Sequence, residues 1–572
     1  MINQQVAKLF FEIADYLQAQ NVSFKPWAWR KAAQAIEELQ EDVADIYKKG
    51  GTKALEDIPG VGKSIASNLE EYIKTGKMKY FDQLKKQMPV DMQELTSVQG
   101  LGPQKVKKLY KELGVKNLKQ LEQAAKKGKI KDLDTFGQKS QENILEGIEF
   151  VKKSQGRYLL GEIMPMAQEM LEKLKKIKGT IKIDICGSLR RRKETIGDLD
   201  FLAVSSDPQG LIDAFCHLPE IDKVFGQGDT KANVKLKNGL DVDLRVVPVN
   251  SFGAAQQYFT GSKEHNIELR KIAIKKGLKL NEYGLYKGEK SIAGKTEEEV
   301  YSALDMDWIT PELRENIGEI EMALAHSLPK LIELKNIKGD LHVHSNWDGG
   351  INPIKELADY ALGLGYEYIG ISDHTQFLKI EHGLNEKQLA DQRKEIDKLN
   401  NDFVKKGIKF KIFQGCEANI LNDGSLDIDI KALSSLDYVI AGLHSSFKME
   451  KAQMTARIIK AMQNPYVKII SHPTGRILKQ RGEYEIDIDA LILAAKKNHV
   501  ALEINASPYR LDLDANNIHK AIEAGVKLVI NSDTHQKDQM HNMQFGISQA
   551  RRGLAMAKNI INTSSADKLF DF

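Results

Sequence analysis

The chain has 572 residues, of which 42% are hydrophobic and 28% are charged, and its formal net charge is +4. At roughly 150 residues per domain this length predicts about three to five domains, and the composition excludes a disordered or low-complexity chain. Because the total charge is nearly balanced, it excludes no class of partner. The class of partner has to be inferred from the local distribution of lysines.

The cysteine and hydropathy patterns place the chain in a reducing compartment. Cys186, Cys216 and Cys416 lie far apart and form no CxxC pair, so neither a disulfide framework nor a structural zinc site is indicated. No uninterrupted apolar run reaches the ~18 residues that a membrane-spanning helix needs. We therefore expect a cytoplasmic protein.

Two glycine-containing turns mark an internal repeat in the first 150 residues. The turns are Ile58-Pro-Gly-Val-Gly62 and Val98-Gln-Gly-Leu-Gly102, and Leu133-Asp-Thr-Phe-Gly137 is a degenerate third copy. A GxG turn that opens a helix presents unpaired N–H groups to a phosphate oxygen. The candidate DNA-binding residues at the first two turns are Gly60, Gly62, Gly100, Gly102 and Lys105.

A lysine-rich window follows the second turn. Residues 101–131 contain ten lysines and two acids. Considered alone, the window could be a solvated helix face. Combined with the two turns, it favours contacts with a nucleic-acid backbone, and the pattern resembles the helix-hairpin-helix motif.

Acidic residues spaced two apart occur on two predicted strands. Asp198 and Asp200 begin one apolar strand, and Asp241 and Asp243 lie on another. Successive strand side chains alternate between faces, so the members of each pair point the same way and repel unless a cation lies between them. A single pair of acids with this spacing is more often part of a surface loop. Three carboxylates on adjacent strands suit two Mg2+ ions that also bind substrate phosphates.

The stretch CGSLRRRKETIGDLD, from Cys186 to Asp200, adds anion-binding groups beside these acids. It contains Gly-Ser, an arginine pair and GDxD, and a further acid follows 43 residues after Asp200. This series resembles the nucleotidyltransferase signature of family X DNA polymerases. Tyr258-Phe-Thr-Gly-Ser262 resembles the nucleotide-pocket segment of the same family, although Lys263 departs from the acid often found there.

The resemblance implies a role for each matching residue. Asp198, Asp200 and Asp243 would be the catalytic carboxylates that hold two Mg2+ ions, with Asp243 preferred to Asp241 because of the Leu-Arg-x-x-Pro sequence that follows it. Arg245 and Arg270 would contact DNA. The residues implied to bind the incoming deoxynucleoside triphosphate are Arg157, Gly187, Ser188, Arg191, Gly197, Tyr258, Phe259, Gly261 and Asn266.

The N-terminal region resembles the 5′-phosphate-binding domain of the same family. The matching residues are Trp29-Arg-Lys31-Ala-Ala33 and the first GxG turn, and Lys25 and Lys31 are suitable phosphate contacts. The lysine that forms a Schiff base in some members corresponds to Asn68. Lyase chemistry by that route is therefore not expected.

Seven short apolar runs with helical patterns between most of them fill residues 336–572. They are KGDLHVHS, YEYIGISDH, KFKIFQGCE, LDYVIAGLH, VKIISH, VALEINAS and VKLVINSDTH. A repeated order of strand, polar tip and helix predicts a parallel barrel whose site lies at the C-terminal ends of its strands. The candidate metal ligands at these tips are His342, His344, His374, Glu417, His444, His472, Asp533 and His535.

The histidines and carboxylates at the strand tips predict a metal cluster. A lone buried histidine is more often structural, but this set suits two or three Mn2+ or Zn2+ ions that support phosphoester hydrolysis. The spacing resembles the PHP (polymerase and histidinol phosphatase) domain. The first strand departs from that family because Gly349 stands where an acid is usual, which leaves Asp348 as a candidate replacement.

These patterns together predict a multidomain α/β and α+β fold. The predicted domains are a helical 5′-phosphate-binding domain (1–90), a second helix-hairpin-helix domain (91–150), a nucleotidyltransferase palm (151–250), a subdomain that binds the nascent base pair (251–320), a linker (321–335) and a (β/α)7 PHP barrel (336–572).

The resemblance implies a monomeric repair polymerase that fills gaps in DNA from dNTPs, combined with a metal-dependent 3′-5′ exonuclease and without a membrane partner. Two alternatives stay open: a template-independent nucleotidyltransferase, and a DNA-binding scaffold whose barrel is only structural. The substrate of the barrel could be a 3′ end, an abasic site or a 3′-phosphate.

Overall fold

The chain divides into two compact units. In a computed structural model of the protein, residues 2–37, 39, 41–98, 100–154, 156–378 and 382–572 are described. One unit comprises residues 1–155 with 479–482, and the other comprises residues 156–478 with 483–572. None of the described helices combines the length and apolar character needed to cross a bilayer.

The first unit is helical. Its helices are α1 (Asn3–Ala19), α2 (Lys25–Glu37), α3 (Val43–Glu56), α4 (Lys63–Thr75), α5 (Lys79–Gln87), α6 (Met92–Thr96), α7 (Pro103–Leu113), α8 (Leu118–Lys126) and α9 (Gln138–Ser154). One apolar cluster runs through all of it, from Phe10 and Trp29 to Leu121 and Ile148. The ring of Trp29 lies between Phe10, at 4.7 Å, and Tyr80, at 5.7 Å.

Residues 156–250 form a mixed sheet with helices. The elements are β1 (Tyr158–Leu159), α10 (Leu160–Lys175), β2 (Thr180–Ile185), α11 (Gly187–Arg190), β3 (Thr195–Ile196), β4 (Asp198–Ser205), α12 (Pro208–Cys216), β5 (Ile221–Gln227), β6 (Lys231–Leu236) and β7 (Asp241–Val246). The main sheet has the order β2-β4-β7-β6-β5, and only the pair β4 and β7 is parallel. On β7 the buried residues Val242, Leu244 and Val246 alternate with residues of the opposite face, which therefore carries Asp241 and Asp243.

Residues 251–335 pack helices against a small antiparallel sheet. The elements are α13 (Phe252–Thr260), α14 (Lys263–Lys275), β8 (Lys279–Asn281), β9 (Gly284–Lys287), β10 (Lys290–Ala293), α15 (Glu297–Ala303) and α16 (Glu319–Leu324). Arg314 is fully buried here. Its guanidinium donates to Glu297 at 2.6 and 3.0 Å, and Arg190 donates to the same carboxylate at 2.7 and 2.8 Å.

Residues 336–478 and 483–572 form a parallel barrel. Its strands are β11 (Gly339–Val343), β12 (Tyr368–Ile371), β13 (Lys411–Gln414), β14 (Glu417–Asn419), β15 (Val439–Gly442), β16 (Val467–Ile470), β17 (Ala501–Asn505) and β18 (Leu528–Asn531). The helices are α17 (Ile354–Gly363), α18 (Glu386–Lys405), α19 (Ile430–Leu433), α20 (Lys451–Met462), α21 (Ile488–Asn498), α22 (Ala515–Ala524) and α23 (Met543–Arg552).

The barrel closes between its first and last strands. β13 pairs with β12 and β14 pairs with β15, so these two short strands are halves of one run. A parallel bridge joins Val343 to Thr534, and the His344 N–H donates to the Thr534 carbonyl at 2.7 Å. Each of the seven predicted apolar runs is therefore a barrel strand, and the predicted fold class is confirmed. The domain boundaries within each unit stay predictions.

Candidate functional site

The paired acids meet at the parallel pair of strands β4 and β7. Asp198 lies opposite Asp241, and Asp200 lies opposite Asp243. Burial, followed by the negative charges of Asp198 and Asp243, raises the pKa of Asp200 to about 7, against the opposing charges of Arg191 and Arg245. Asp198 and Asp243 thus place negative charge next to the Asp200 carboxylate, and a bound cation would offset this repulsion.

The two candidate acids on β7 have different partners. Lys235 Nζ lies 2.7 Å from Asp241 Oδ1, and both side chains are substantially exposed. Asp243 instead accepts a hydrogen bond of 2.8 Å from Asn233 Nδ2. Asp241 is thus already paired with a cation, whereas Asp243 faces Asp200 with a neutral neighbour.

The loop after β2 brings small residues against the acids. Gly187 has φ +64°, and a Cβ at this position would overlap the carboxylate of Asp200. Glycine is therefore required for this close approach. The buried hydroxyl oxygen of Ser188 finds no hydrogen-bond partner among the residues that the structure describes, which fits a group that contacts a ligand.

Two predicted triphosphate contacts are held by nearby backbone and side-chain groups. Arg157 Nε donates to Thr195 Oγ1 at 2.8 Å, and its Nη1 would lie 3.1 Å from a Cβ at Gly197. Arg191 donates through Nη1 to the Thr260 carbonyl, and its Nε donates to Glu315 at 3.0 Å. These hydrogen bonds fix the positions of both arginine side chains.

An open cleft of about 360 Å³ collects most of these residues. It is lined by Gly187, Ser188, Arg191, Asp198, Asp200, Tyr258, Phe259, Gly261, Lys263, Asn266 and Arg270. Among the predicted site residues of this region, Arg157, Gly197, Asp243 and Arg245 lie outside that lining. Asp243 and Arg245 nevertheless adjoin it, through the pairing of Asp243 with Asp200 and the packing of Arg245 4.7 Å from the centre of the Phe259 ring.

The side chains at the far end of the cleft are mutually ordered. The rings of Tyr258 and Phe259 meet edge to face at 5.1 Å. Asn266 donates to the Tyr258 carbonyl at 2.7 Å and accepts from Gln257 at 2.6 Å. Arg270 Nε donates to the Asn266 carbonyl at 3.2 Å. These contacts restrict the rotamers of the side chains that would face a bound nucleotide.

The glycine turns of the first unit are nearly identical in backbone geometry. Gly60 and Gly100 have φ +80° and +86°, and Gly62 and Gly102 precede α4 and α7 with φ near −80°. In both turns an N–H donates three residues back at 3.0 Å, from Val61 to Ile58 and from Leu101 to Val98. The helix N-termini that follow are therefore presented in the same way.

A third turn repeats this geometry without the first glycine. The Phe136 N–H donates to the Leu133 carbonyl at 3.0 Å, and Gly137 precedes α9. Thr135 occupies the left-handed region at φ +70°, where the other turns have glycine. The degenerate copy at residues 133–137 is thus a third hairpin turn. The spacing of Leu133, Phe136 and Gly137 had indicated this copy in the sequence, although threonine replaces its first glycine.

The predicted basic contacts lie at or near these turns. Lys25 and Lys31 are exposed on α2, and the Lys31 ammonium lies 5.3 Å from the centre of the Trp27 ring. Lys105 Nζ donates to the Gly100 carbonyl at 3.0 Å. A cleft of about 350 Å³ beside the third turn is lined by Gln104, Lys105, Lys107, Lys108, Lys111, Glu112 and Thr135. Its charge suits an anionic partner.

The strand tips of the barrel converge on Glu417 and Asp533. Glu417 Oε2 lies 3.2 Å from His342 Nε2 and 3.1 Å from His374 Nδ1. Glu417 Oε1 lies 3.0 Å from His472 Nε2 and 3.4 Å from His444 Nε2.

The two carboxylates share the nitrogens of the first strand. Asp533 Oδ1 lies 3.6 Å from His342 Nε2 and 3.5 Å from His344 Nε2, and His535 completes a group with His344 and His374. The structure thus brings together all eight predicted ligands of the barrel.

Unsatisfied nitrogen atoms point into this cluster. His342 Nε2, His344 Nε2 and His374 Nδ1 are buried, and none has a hydrogen-bond partner in the described part of the chain. Burial lowers the pKa of His444 and of His535 to about 4, so both imidazoles are neutral at pH 7. Imidazole nitrogens and carboxylate oxygens are the ligands that transition-metal ions prefer, so the residues fit a metal cluster.

Two carboxylates that support the cluster were missed in the sequence. Glu503 Oε1 lies 2.7 Å from His342 Nδ1, and Glu503 Oε2 accepts from the His472 N–H at 2.8 Å. Asp373 accepts from Ser345 at 2.5 and 2.6 Å. The available signal for Glu503 was a glutamate inside an otherwise apolar predicted strand.

Asp348 contacts the cluster through His344. Its Oδ2 lies 2.7 Å from His344 Nδ1 and accepts from the His374 N–H at 2.8 Å. Asp348 is buried, whereas Gly349 is exposed on the turn. The acid therefore lies one residue before the position that is usual in the PHP family. At position 348 its carboxylate still points toward the cluster.

Family comparisons agree with this arrangement along the chain. Residues 1–78 match a helix-hairpin-helix domain, and residues 92–149 match a SAM-like helix-hairpin-helix tandem. Residues 255–315 match the DNA polymerase beta thumb, and residues 340–507 match the PHP domain.

Curated relatives match nearly the whole chain or a part of it. The DNA polymerase/3′-5′ exonuclease PolX of Bacillus subtilis is 39% identical over 570 residues, which are 99% of this chain and 98% of that protein. A probable phosphatase of Clostridium acetobutylicum is 28% identical over 41% of this chain and 93% of its own length. A probable phosphatase of Caldicellulosiruptor bescii is 36% identical over 22% of this chain and 53% of its own length. The chain therefore belongs to the family X DNA polymerases (PolX) that carry helix-hairpin-helix domains and a C-terminal PHP domain.

Proposed function

We propose that this chain is a DNA polymerase that fills short gaps during repair and that its PHP barrel is a 3′-5′ exonuclease. The observation that carries the polymerase assignment is the meeting of Asp198, Asp200 and Asp243 at the parallel pair β4 and β7, beside a cleft that contains Ser188 and Arg191. The identity to a PolX protein over nearly the full length of both chains supports both activities.

Asp198, Asp200 and Asp243 would hold two Mg2+ ions. The raised pKa of Asp200 reflects burial and the negative charges of Asp198 and Asp243, which bound cations would offset. When bound there, the ions would assist attack by the primer 3′-hydroxyl and neutralise charge on the phosphates. Asn233 holds the Asp243 carboxylate in place with its hydrogen bond of 2.8 Å.

The cleft would orient the incoming dNTP. Ser188, Arg191, Gly197 and Arg157 would bind the β- and γ-phosphates, and the close approach at Gly187 admits them beside the acids. The remaining lining residues would bind the rest of the substrate. Tyr258, Phe259 and Gly261 would contact the sugar and disfavour a ribose, whereas Asn266, Arg270 and Arg245 would contact the nascent base pair and the template.

The hairpin turns would bind the DNA backbone independently of this chemistry. Gly60, Gly62, Gly100 and Gly102 would present helix N-termini to phosphates, and Lys105 would add a cation. Lys25 and Lys31 would bind the 5′-phosphate of a gap. Asn68 hydrogen-bonds to the Ser64 carbonyl at 2.7 Å and carries no amine, so no Schiff-base lyase step is proposed.

The barrel would hold two or three Mn2+ or Zn2+ ions on its eight converging ligands. Glu503 would accept a hydrogen bond from His342 Nδ1–H, which leaves the Nε2 lone pair available to a metal ion that Glu417 also binds. When bound, the ions would polarise a phosphodiester and supply a nucleophile from water. Two of the relatives are probable phosphatases, which is consistent with phosphoester hydrolysis.

One substrate tests the polymerase assignment directly. A duplex with a one-nucleotide gap and a 5′-phosphate is offered with each dNTP in turn, and incorporation is read against the template base. We expect incorporation of the complementary nucleotide and a preference for the gap over a single strand. Equal extension of both substrates would instead favour a template-independent transferase.

A second experiment tests the barrel. We expect a Mn2+-stimulated loss of nucleotides from a 3′ end, which His344→Ala removes while polymerisation persists. An abasic-site duplex and a 3′-phosphate end, tested in parallel, decide between the other two substrates. A barrel that binds no metal, with hydrolysis unchanged by His344→Ala, would favour the scaffold alternative. Sedimentation of the full chain tests the predicted monomer.

A further inference from the structure

The segment that carries the nucleotide-binding arginine is held by residues of the barrel. Glu194 accepts from Arg476 Nη2 at 2.6 Å and from Gln549 Nε2 at 2.7 Å. Gln549 lies on α23, the last helix of the barrel. The segment after α11 is therefore tied to the barrel more than 280 residues away in sequence.

Glu315 is the centre of a second, closer link. Its Oε1 accepts from Arg191 Nε at 3.0 Å and from Arg552 Nη1 at 3.3 Å, and its Oε2 lies 3.4 Å from Lys193 Nζ. Arg552 Nη1 also donates to the carbonyl of Arg191 at 3.1 Å. Arg552, the final residue of α23, thus contacts both the backbone of Arg191 and the carboxylate that pairs with its guanidinium.

Glu315 and Arg552 affect the electrostatic potential that Arg191 presents to the cleft. The Arg191, Glu315 and Arg552 side chains are only 14%, 17% and 8% exposed, so solvent screens their charges weakly. Glu315 attracts Arg191 and repels any anion that approaches it. Because Arg552 compensates this carboxylate, Arg191 keeps its positive potential toward a phosphate.

We propose that Arg552 of the barrel is a positioning residue for nucleotide binding, acting through Glu315 on Arg191. This inference rests on the proposed function of the cleft as a dNTP site. It gives the PHP barrel a role in polymerisation that is separate from its own metal cluster. Loss of Arg552 would leave Glu315 partly uncompensated and would release the backbone of Arg191.

The helix supplies a matched control in the adjacent residue. Arg551 Nε donates to Glu312 at 2.9 Å, its Nη1 to the Ile332 carbonyl at 3.1 Å and its Nη2 to Thr310 at 3.2 Å. Arg551 is thus also bound to residues outside the barrel, but these hydrogen bonds do not reach Glu315 or Arg191. A general weakening of the packing around α23 would affect Arg551→Ala as much as Arg552→Ala.

The test measures dNTP binding by the full chain on gapped DNA with a dideoxy-terminated primer and Mg2+, so that no turnover occurs. We expect Arg552→Ala to raise the dNTP dissociation constant roughly tenfold, because it removes a charged hydrogen bond, and to change DNA affinity by less than about twofold. Arg551→Ala should leave dNTP affinity within about twofold of the wild type. Equal effects of the two variants, or no effect of Arg552→Ala, would overturn the proposal.

A second variant separates charge compensation from simple packing. In the Arg552→Ala background, Glu315→Gln removes the uncompensated negative charge and should restore part of the lost dNTP affinity. A further loss in the double variant would contradict compensation. Arg552→Gln carries the same test if Arg552→Ala does not fold, as judged by its thermal midpoint and barrel hydrolysis. Failure of the wild type to bind any dNTP would instead refute the proposed function of the cleft.

Discussion

Asp200 lies directly opposite Asp243 in the parallel pairing of β4 with β7, although 43 residues separate them in sequence. Antiparallel strands occupy the rest of the same sheet. Because β4 and β7 are parallel, both strands begin at the same end of the sheet. Their carboxylates therefore lie close together beside the loop that contains Gly187. Burial raises the pKa of Asp200, and the neighbouring charges of Asp198 and Asp243 raise it further.

The first prediction separates the two acids of β7. Asp200→Asn and Asp243→Asn should each reduce nucleotide incorporation by at least about a hundredfold, because each removes a charge needed to hold metal. Asp241→Asn is the matched control, since Asp241 is paired with Lys235 and should matter little. Single-turnover incorporation and DNA affinity are measured for all three. Strong loss only in Asp241→Asn would reverse the assignment.

The second prediction uses the different surroundings of two glycines. A Cβ at Gly102 meets no described atom within 4 Å, so Gly102→Ala should cost less than about 1 kcal/mol of stability but weaken DNA binding. At Gly60 a Cβ would lie 2.9 Å from Lys31 Cγ with φ at +80°, so Gly60→Ala should lower both stability and binding. Thermal midpoints and affinities for unrelated DNA sequences are compared. A loss confined to certain sequences would argue against backbone contacts.

The third prediction concerns the acid beside His344. Asp348→Asn should reduce bound metal and hydrolysis about 10- to 100-fold, because a partner that orients a metal-binding histidine is weakened. The metal content of the purified protein is the primary readout, since it does not depend on the substrate. Asp359→Asn is the control, because Asp359 is exposed and paired with Lys355. Unchanged metal content in Asp348→Asn would show that Asp348 does not support the cluster.

The fourth prediction concerns the buried carboxylate of Glu297. Glu297→Gln should lower the free energy of unfolding by about 3–5 kcal/mol, because the fully buried Arg314 loses its ionic partner. Glu298→Gln, at an exposed neighbouring position, should change it by less than about 0.5 kcal/mol. Thermal and denaturant unfolding of the full chain measure both. Similar midpoints for the two variants would contradict the role of the ion pair.

The fifth prediction is the acid sensitivity of the contact between Glu312 and Arg551. Burial alone would raise the pKa of Glu312, but the Arg551 guanidinium holds it below its ordinary value of 4.5. The folded protein thus releases this proton more readily than the unfolded chain. The resulting stability is complete above pH 4.5 and is lost as the pH falls through the lower folded pKa.

Glu312→Gln should therefore show a smaller drop in thermal midpoint than the wild type between about pH 6 and pH 3. Other carboxylates titrate in both proteins, so the difference between the two curves isolates Glu312. Parallel curves would mean that the ion pair contributes nothing to acid sensitivity.

Local patterns predicted the elements that bear the chemistry. The period-2 acids of β4 and β7, the GxG turns before α4 and α7, and the polar tips of the seven barrel runs are all properties of a few neighbouring residues. Their backbone geometry follows from propensity and side-chain alternation, which act over short distances. The predicted fold could therefore be derived before any tertiary contact was known, and the family resemblance supplied the residue roles.

Other features depended on contacts between distant parts of the chain. Glu503 was masked by the apolar strand around it, and its contact with His342 joins residues that lie 161 positions apart. The partners of His344 and His342 are Asp348 and Glu503, and only the second lies far away in sequence. The contact of Glu503 depends on barrel closure, which no local pattern encodes, whereas the sequence had already offered Asp348 as a candidate.

By itself, the sequence determined the strands, the turns and the residue types at their ends, because these follow from periodicity and backbone preference. Only the tertiary structure decided that Asp243 faces Asp200 while Asp241 pairs with Lys235, and that Arg552 reaches Glu315 beside Arg191. Strand register and long-range ion pairs are set by the packing of whole elements against one another, and a one-dimensional pattern carries no information about that packing.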